Sequence, residues 1–404
     1  MSIYTLFLCG GKWQLPWFKF LKNKGHKIIL VDPYPDSPCV EFADIFFKED
    51  VKNVDSIITF VHENKFQIEM VTSEQTDVST LPVSIIAKAL DIQINEPEIV
   101  RRYANKGVSR KFLKDNFNKH YPDFELITDI LKLTEFIKKH DHIIIKPVDA
   151  QSSRGIHLLN QYSSINEVKS AYENCKSFSV ESAIIAEQFI VGEEITLEGI
   201  CLNNEHYTLT GSNKKHFRTG IASNLSYPLT INSKLEDELF SFHNSLIKKT
   251  GLITAITHAE YIISENEKSF YLVEVACRGG GSLIPSHIVP KVTSLNLYEI
   301  YYQAMYKSKF ETDIRVLNNS SVTLHFFEFD SGQVMSIKGV EECKKLNFVI
   351  DIGLEFKVGD IIKNAQDDRS RQGYVVVSGI SKEEVSANIE FIYNTIEINY
   401  EPTL

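Results

Sequence analysis

Apolar and polar positions along the chain fall into blocks whose period changes several times. Residues 5–9 form a continuous apolar run that stops at Gly10-Gly11, and an amphipathic stretch over 13–24 follows, closed by Gly25. A second apolar run, 27–31, ends on Asp32 and Pro33. Buried strand, glycine turn, helix and buried strand make a βαβ unit. The same patterning predicts helix over 57–64, strand over 68–72 and helix over 81–90. Residues 1–95 therefore read as a small doubly wound α/β domain.

Further on, 98–116 is helical and basic and runs through Asn105-Lys106-Gly107, and 125–139 reads as a short strand and a helix. The β-branched run Ile143-Ile144-Ile145 then leads into Lys146-Pro147, and strand and helix patterns alternate to about residue 309. Within them, 258–262 and 271–281 flank a polar turn and form a hairpin. Beyond Ser321 the pattern shifts to short strands joined by turns such as Asp330-Ser331-Gly332, and a helix over 382–396 closes an α+β segment.

Length and composition narrow what these elements can serve. The 404 residues suit two or three domains, and 43% hydrophobic with 24% charged residues exclude disorder and low-complexity assemblies. A net charge of −10 discourages clamping of a nucleic-acid backbone, which needs a basic footprint. The six cysteines include no CxxC pair and lie mostly in apolar runs, as reduced cytosolic thiols do. No stretch approaches ~18 consecutive apolar residues and no basic leader precedes the first apolar run, so a cytoplasmic protein without a membrane partner is expected. Gly10-Gly11 followed by Asp32 imitates a dinucleotide fingerprint. The third glycine of that motif is missing, and a tight turn with a strand-end carboxylate is the better reading.

Candidate chemistry concentrates in three stretches. Lys146 ends a buried strand, where a lysine is costly unless an anion receives it. The turn Ser152-Ser153-Arg154-Gly155 follows, with backbone N–H groups suited to phosphate oxygens; an ordinary β-turn is the competing reading. Residues 184–194 run from an apolar strand to Glu187, then to Phe189-Ile190, then to Gly192-Glu193-Glu194. That order suits a flat heterocycle between apolar faces with a carboxylate for a ribose, although an acidic solvated turn is the plainer alternative. In the hairpin, Glu260 and Glu274 are each embedded among apolar residues, and Arg278-Gly279-Gly280-Gly281 follows. Paired carboxylates suit Mg²⁺, and the arginine supplies a positive fork for a phosphoryl group.

Taken in order, Lys106, Lys146-Pro147 with its small-residue loop, Glu187 to Glu194, Glu260, and Glu274 with Arg278 resemble the ATP-grasp superfamily, most closely its L-amino-acid ligase branch. The resemblance spans essentially the whole chain. It implies a preATP-grasp domain over 1–95, an ATP-grasp domain of two subdomains over 96–310 and a C-terminal α+β domain over 311–404, with Gly332, Lys357-Val358-Gly359-Asp360 and Gly373-Tyr374-Val375 as landmarks of the last. It further implies that Lys106 and Lys146 contact ATP phosphates and that Ser152, Ser153 and Gly155 close over the β- and γ-phosphates. Glu187 with the backbone of Phe189 and Ile190 would hold adenine, Glu194 the ribose, Glu260 and Glu274 Mg²⁺ (with Mn²⁺ as an alternative), and Arg278 the phosphoryl transition state. An asparagine common in the wider family two residues after the second glutamate is Ala276 here, a change the L-amino-acid ligase branch tolerates.

The activity so implied is a carboxylate–amine ligase: the carboxylate is phosphorylated by ATP, and an amine then displaces phosphate from the acyl phosphate. Partners are then small-molecule carboxylates and amines, and a homodimer is the family's expectation. His258 and His287 stand as candidate bases for the amine, against a packed structural role for each. His216, within the basic cluster Lys214, Lys215 and Arg218, reads equally as a substrate-contacting segment or a solvated loop. Competing readings are a bicarbonate-using carboxylase or carbamoyl-phosphate-synthase-like enzyme, an amide ligase acting on a sugar, and a nucleotide-binding scaffold without turnover.

Overall fold

In the computed structural model, which describes residues 3–150, 154–218, 220–265, 269–306, 314–317, 320–367 and 370–401, the described strands gather into four sheets. The first is parallel, in the order Ile45–Lys48, Ile28–Asp32, Ile3–Leu8, Gln67–Thr72. Alternation splits its apolar residues between two faces. Phe7, Ile28 and Leu30 pack on Trp17, Phe18 and Leu21 of helix Leu15–Asn23, whereas Leu6, Leu8, Ile29 and Val31 pack on Ile57, Val61 and Ile86 of helices Val54–Glu63 and Thr80–Ala89. Strand Ile45–Lys48 escaped the pattern because it is a four-residue edge strand with no fully buried side chain.

The glycine turn after the first strand is held from within. Asp32 accepts the Gly10 N–H at 2.7 Å through one carboxylate oxygen, and Tyr34 N–H and Ser37 Oγ–H through the other, each at 2.8 Å. A Cβ at Gly10 would stand 2.9 Å from Leu30 Cδ2, so the turn presses directly on the sheet. The carboxylate that imitates a ribose ligand is thus a turn clasp.

The single basic helix expected over 98–116 is two helices, Pro97–Ala104 and Lys106–Asn116. Asn105 leaves the helical region (φ −130°, ψ 115°), and its side chain caps the second helix by accepting the Val108 N–H at 3.1 Å. This break places Lys106 at the start of a helix that lies between the next two sheets. One is a small antiparallel sheet in the order Phe124–Ile127, Ile184–Gln188, His142–Pro147, His157–Asn160. Its core joins Ile143, Ile145, Ile184 and Ala186 to Leu133 and Phe136 of one helix and Val168 and Cys175 of another.

The other is an eight-stranded sheet in the order Phe270–Ala276, Ala255–Ser264, Gly192–Leu202, Glu205–Arg218, Ile221–Tyr227, Ser321–Phe326, Gly373–Gly379, Val349–Leu354. Strand Ser321–Phe326 pairs with Ile221–Tyr227 on one side and Gly373–Gly379 on the other. The sheet therefore crosses residue 310, where the sequence pattern changes. A three-stranded sheet, Ile361–Ile362, Gly332–Lys338, Glu397–Glu401, completes the C-terminal part. The six cysteines are all free thiols, and no described helix is long and apolar enough to cross a membrane.

Burial sets one acid-sensitive position on the back of the large sheet. His206 is 6% exposed and bonded to Asn244 Oδ1 at 2.7 Å and Thr257 Oγ1 at 2.8 Å, and burial pushes its pKa down to about 4. Between about pH 6.5 and pH 4 the unfolded chain takes up this proton and the folded one does not, so stability falls as pH falls through that window. One such group contributes a slope of up to about 1.4 kcal/mol per pH unit. His206→Gln is expected to flatten the decline of the denaturation midpoint between pH 6.5 and 4, read from urea melts at several pH values.

Candidate active site

On the large sheet, residues two apart share a face, and the register decides which side chains meet. Glu260 pairs with Glu274 and with Thr196, and His258 pairs with Ala276 and with Glu198. Thr196 pairs in turn with Ser212, two residues before Lys214. Four adjacent strands thus present Glu274, Glu260 with His258, Glu194 with Glu198, and Lys214 to one side. The intervening residues Ile195, Leu197, Ala259, Tyr261 and Val275 form a dry core on the other. Charge can gather here because the sheet's stability is supplied by the opposite face.

Each charge on this face has a partner. Lys214 bridges Glu194 and Glu260, with the Glu260 oxygen at 2.8 Å, and the two carboxylates override burial and raise its pKa. Burial alone would raise the Glu260 pKa, but Lys214 and His258 hold it well below the usual carboxylate range. Glu274 receives the Lys106 ammonium at 3.2 Å, and that ammonium also donates to the Ala150 carbonyl at 3.0 Å. His216 Nε2 lies 3.2 Å from Glu194. His258 Nδ1 is 2.9 and 3.0 Å from the two oxygens of Glu198, itself 2% exposed and bonded to Thr196 and Tyr227 hydroxyls. Burial alone would lower the His258 pKa; Glu198 overrides it and raises it to about 9. His287 is bonded to Ser286 Oγ at 2.7 Å, and burial lowers its pKa.

Two cavities open on this face. One, of about 490 Å³, lies between the small and large sheets. Ile144, Pro147, Ile156, Phe189, Ile190, Ile262 and Leu272 give it apolar walls, and Lys106, Lys146, Glu187, Glu194, Lys214, Glu260 and Glu274 give it charge. The other, of about 600 Å³, is lined by Lys12, Trp13 and Asp77 from the first sheet's loops, by Arg278, His258 and Ala276, and by Arg371 and Tyr374 from the C-terminal part. Lys214, Glu260 and Glu274 line both. The carboxylate pair is the wall the two cavities share.

Of the described residues anticipated for the nucleotide, Lys106, Lys146, Glu187, Phe189, Ile190 and Glu194 line the smaller cavity. Lys146 is 7% exposed, and its ammonium meets Glu187 Oε2 at 2.8 Å; Arg110 Nε meets Glu187 Oε1 at 2.6 Å. Both oxygens of Glu187 are thereby engaged by cations, and Glu187 also lines the smaller cavity. The second Arg110 arm donates to the Val273 carbonyl at 2.7 Å, so the triad ties the small sheet to the large one. Burial alone would raise the Glu187 pKa, but Arg110 and Lys146 hold it at about 2. The Phe189 N–H donates to the His142 carbonyl at 3.0 Å, and Phe189 and Ile190 both line the smaller cavity. Ser152 and Ser153 lie outside the described residues; Gly155 takes φ +70°, and a Cβ there would stand 2.8 Å from Phe178 Cδ2. Arg110, Glu198 and Asp77 were not anticipated, and Lys214 only as part of a loop cluster. For Glu198 and Lys214 the signal in sequence was strand parity, which puts Glu198 in phase with Glu194 and Lys214 in phase with Ser212.

Glu260 and Glu274 fit a divalent cation. They stand opposite each other in register, open to both cavities, and each is neutralised by a lysine that supplies the positive charge the pair requires. Among the described residues no third His, Cys, Asp or Glu joins them as a ligand group. Mg²⁺ characteristically takes one or two carboxylates and completes its octahedron with phosphate oxygens and water.

Residues 140–286 match the ATP-grasp domain family, and residues 325–401 match L-amino acid ligase C-terminal domain 2. Dapdiamide A synthase from Enterobacter agglomerans is 21% identical over 256 residues, which are 61% of this chain and 60% of that protein. The match thus spans about three fifths of that relative's length. Among solved structures, L-amino acid ligase from Bacillus licheniformis superposes with a TM-score of 0.80 at 19% identity, over 99% of each chain. Phosphoribosylglycinamide synthetase from Anaerococcus prevotii superposes with a TM-score of 0.74 at 17% identity, over 99% of this chain and 100% of that one. At these identities the two structures share the fold.

Removing Glu187 strands two buried cations at once. Breaking a buried pair in this way costs about 3–5 kcal/mol. Glu187→Ala is expected to lower the unfolding midpoint markedly, whereas Glu193→Ala, an exposed carboxylate bonded only to Asn213 among the described residues, leaves it within about 0.5 kcal/mol, as surface substitutions do. Thermal melts of the two variants check both values.

Proposed function

We propose that this chain, whose residues 140–286 match the ATP-grasp domain and whose residues 325–401 match L-amino acid ligase C-terminal domain 2, is an ATP-dependent carboxylate–amine ligase with an amino acid among its substrates. The observation that carries the reading is the shared wall: Glu260, Glu274 and Lys214 line both cavities at once. A phosphoryl donor in the smaller cavity and a carboxylate in the larger one would meet across that wall. The domain limits near residues 95 and 310 belong to the same reading. So does the preference for amino acids over bicarbonate or a sugar amine.

Direct amide formation fails because hydroxide is a poor leaving group. In the proposed route a carboxylate oxygen of the substrate attacks the γ-phosphorus of ATP, the bond to the β-phosphate oxygen breaks, and ADP departs. The amine then adds to the acyl carbon, phosphate leaves with the C–O bond electrons, and the amine's proton passes to solvent or phosphate. The chain's part is positioning and charge balance. Lys146 and Lys106 face the phosphate end of the smaller cavity. Ile190, Phe189 and Leu272 enclose the base, and Glu194 is available to ribose hydroxyls once Lys214 turns to phosphate. Glu260 and Glu274 would hold Mg²⁺, which neutralises phosphate oxygens when bound. Arg278 grips the transferring group from the larger cavity, and His258, oriented by Glu198, adds positive charge beside Glu260.

Phosphate release and amide product, measured with ATP and Mg²⁺ across amino acids offered singly and in pairs, test the reading. Release coupled to an amide product is expected for particular pairs and not for bicarbonate. Turnover that needs bicarbonate and forms no amide with any amine would overturn it. Glu274→Gln is expected to lower turnover by roughly 10²–10³-fold with the melting midpoint retained.

A further inference from the structure

Arg278 follows the last residue of strand Phe270–Ala276 by two positions and opens the run Gly279-Gly280-Gly281, which has no side chains of its own to brace it. The bracing comes from a different sheet. Asp77 begins the short turn Asp77–Ser79 that follows strand Gln67–Thr72, 201 residues away in sequence. Its carboxylate takes the Arg278 guanidinium side-on: Oδ1 accepts from Nε at 2.8 Å and Oδ2 accepts from Nη2. Nη1 donates to the Gly279 carbonyl at 2.9 Å. One turn earlier, Glu74 accepts the Gly279 N–H at 2.7 Å. A Cβ at Gly279 would lie 2.7 Å from Glu74 and 2.6 Å from Pro285, and one at Gly280 would lie 2.9 Å from His258. The glycine loop is thus fitted between two carboxylates of the first sheet and the site itself.

A guanidinium carries five N–H donors. Among the described residues Asp77 takes two and the Gly279 carbonyl one, which leaves one N–H on each Nη for oxygens of a planar or tetrahedral anion. Asp77 and Arg278 both line the larger cavity. A flexible arginine on a glycine loop would sample many rotamers; side-on capture fixes the plane and direction of the free edge.

We propose that Asp77 is the positioning residue for Arg278, so that the arginine is aimed at the transferring phosphoryl group only when the parallel N-terminal sheet is docked against the hairpin. The proposal rests on the ligase reading for its kinetic consequence, and the test separates the two. In a double-mutant cycle of Asp77→Ala and Arg278→Ala, urea melts read the pairing without any assay of turnover. Coupled shifts of the midpoint are expected, and additive shifts would overturn the clamp. In the ligase assay with the pair of substrates the unaltered protein uses, Asp77→Ala is expected to lower kcat about a hundred-fold while KM for ATP holds, the size of effect that misplacement of a fixed group produces. In the Arg278→Ala background the same change is expected to cost nothing further. A full additional loss there, or a rise in KM with kcat intact, would place Asp77 on substrate and overturn the proposal. Asp77→Asn, which keeps the shape and loses the charge, is expected to recover part of kcat and guards against misfolding of the alanine variant. An unaltered protein that makes no amide at all would refute the ligase reading, with the melts still deciding the clamp.

Discussion

A charged group withdrawn from water must meet its opposite, and this requirement organises the molecule around the site. The face of the large sheet that bears Glu194, Glu198, Glu260 and Glu274 is tolerable only because Lys214, His258 and Lys106 stand against it. Deeper in, Glu187 is balanced by Arg110 and Lys146, and at the edge Asp77 balances Arg278. These cations arrive from separate elements: a capped helix, a small sheet, a neighbouring strand and a glycine loop. Neutralising the carboxylates therefore brings together the pieces that a polyphosphate would also need. A site so built is preorganised for anions, because its cations are already in place and have only to exchange one partner for another.

The same pairing explains which parts of the site could be read in the sequence. Strand runs and their glycine or proline stops located the N-terminal elements within a few residues, since a buried parallel strand leaves an unbroken apolar run. The hairpin was legible because Glu260 and Glu274 interrupt such runs symmetrically. Partners could not be read. Arg110 sits in an ordinary basic helix, and nothing local distinguishes it from Arg101 or Lys111. Its meaning comes from Glu187, 77 positions later, through a packing that only the fold supplies. For the same reason the two cations that meet Glu187 could not be named from that residue's surroundings in sequence. Asp77 lies 201 residues from the arginine it holds. The break at Asn105 was missed for a smaller reason: a capping asparagine inside a basic amphipathic stretch keeps the periodicity nearly intact on both sides.

The helix Lys106–Asn116 bonds to both the small sheet and the large one. Its first residue donates its N–H to the Val148 carbonyl at 2.8 Å on the small-sheet side, and its ammonium to Glu274 on the large sheet. One turn on, Arg110 repeats the pattern with Glu187 and the Val273 carbonyl. The two sheets that enclose the smaller cavity share no strand, and this helix is the rod between them.

The continuity of the eight-stranded sheet has a mechanical consequence. Strands on either side of residue 310 are laced by backbone hydrogen bonds from Phe270–Ala276 through to Val349–Leu354, so the floor of both cavities deforms as one plate. The small sheet is joined to that plate by side-chain ion pairs and a few loop contacts, which are far more compliant than a ladder. The smaller cavity is therefore bounded on one side by a continuous hydrogen-bonded ladder and on the other by a sheet held largely through side chains.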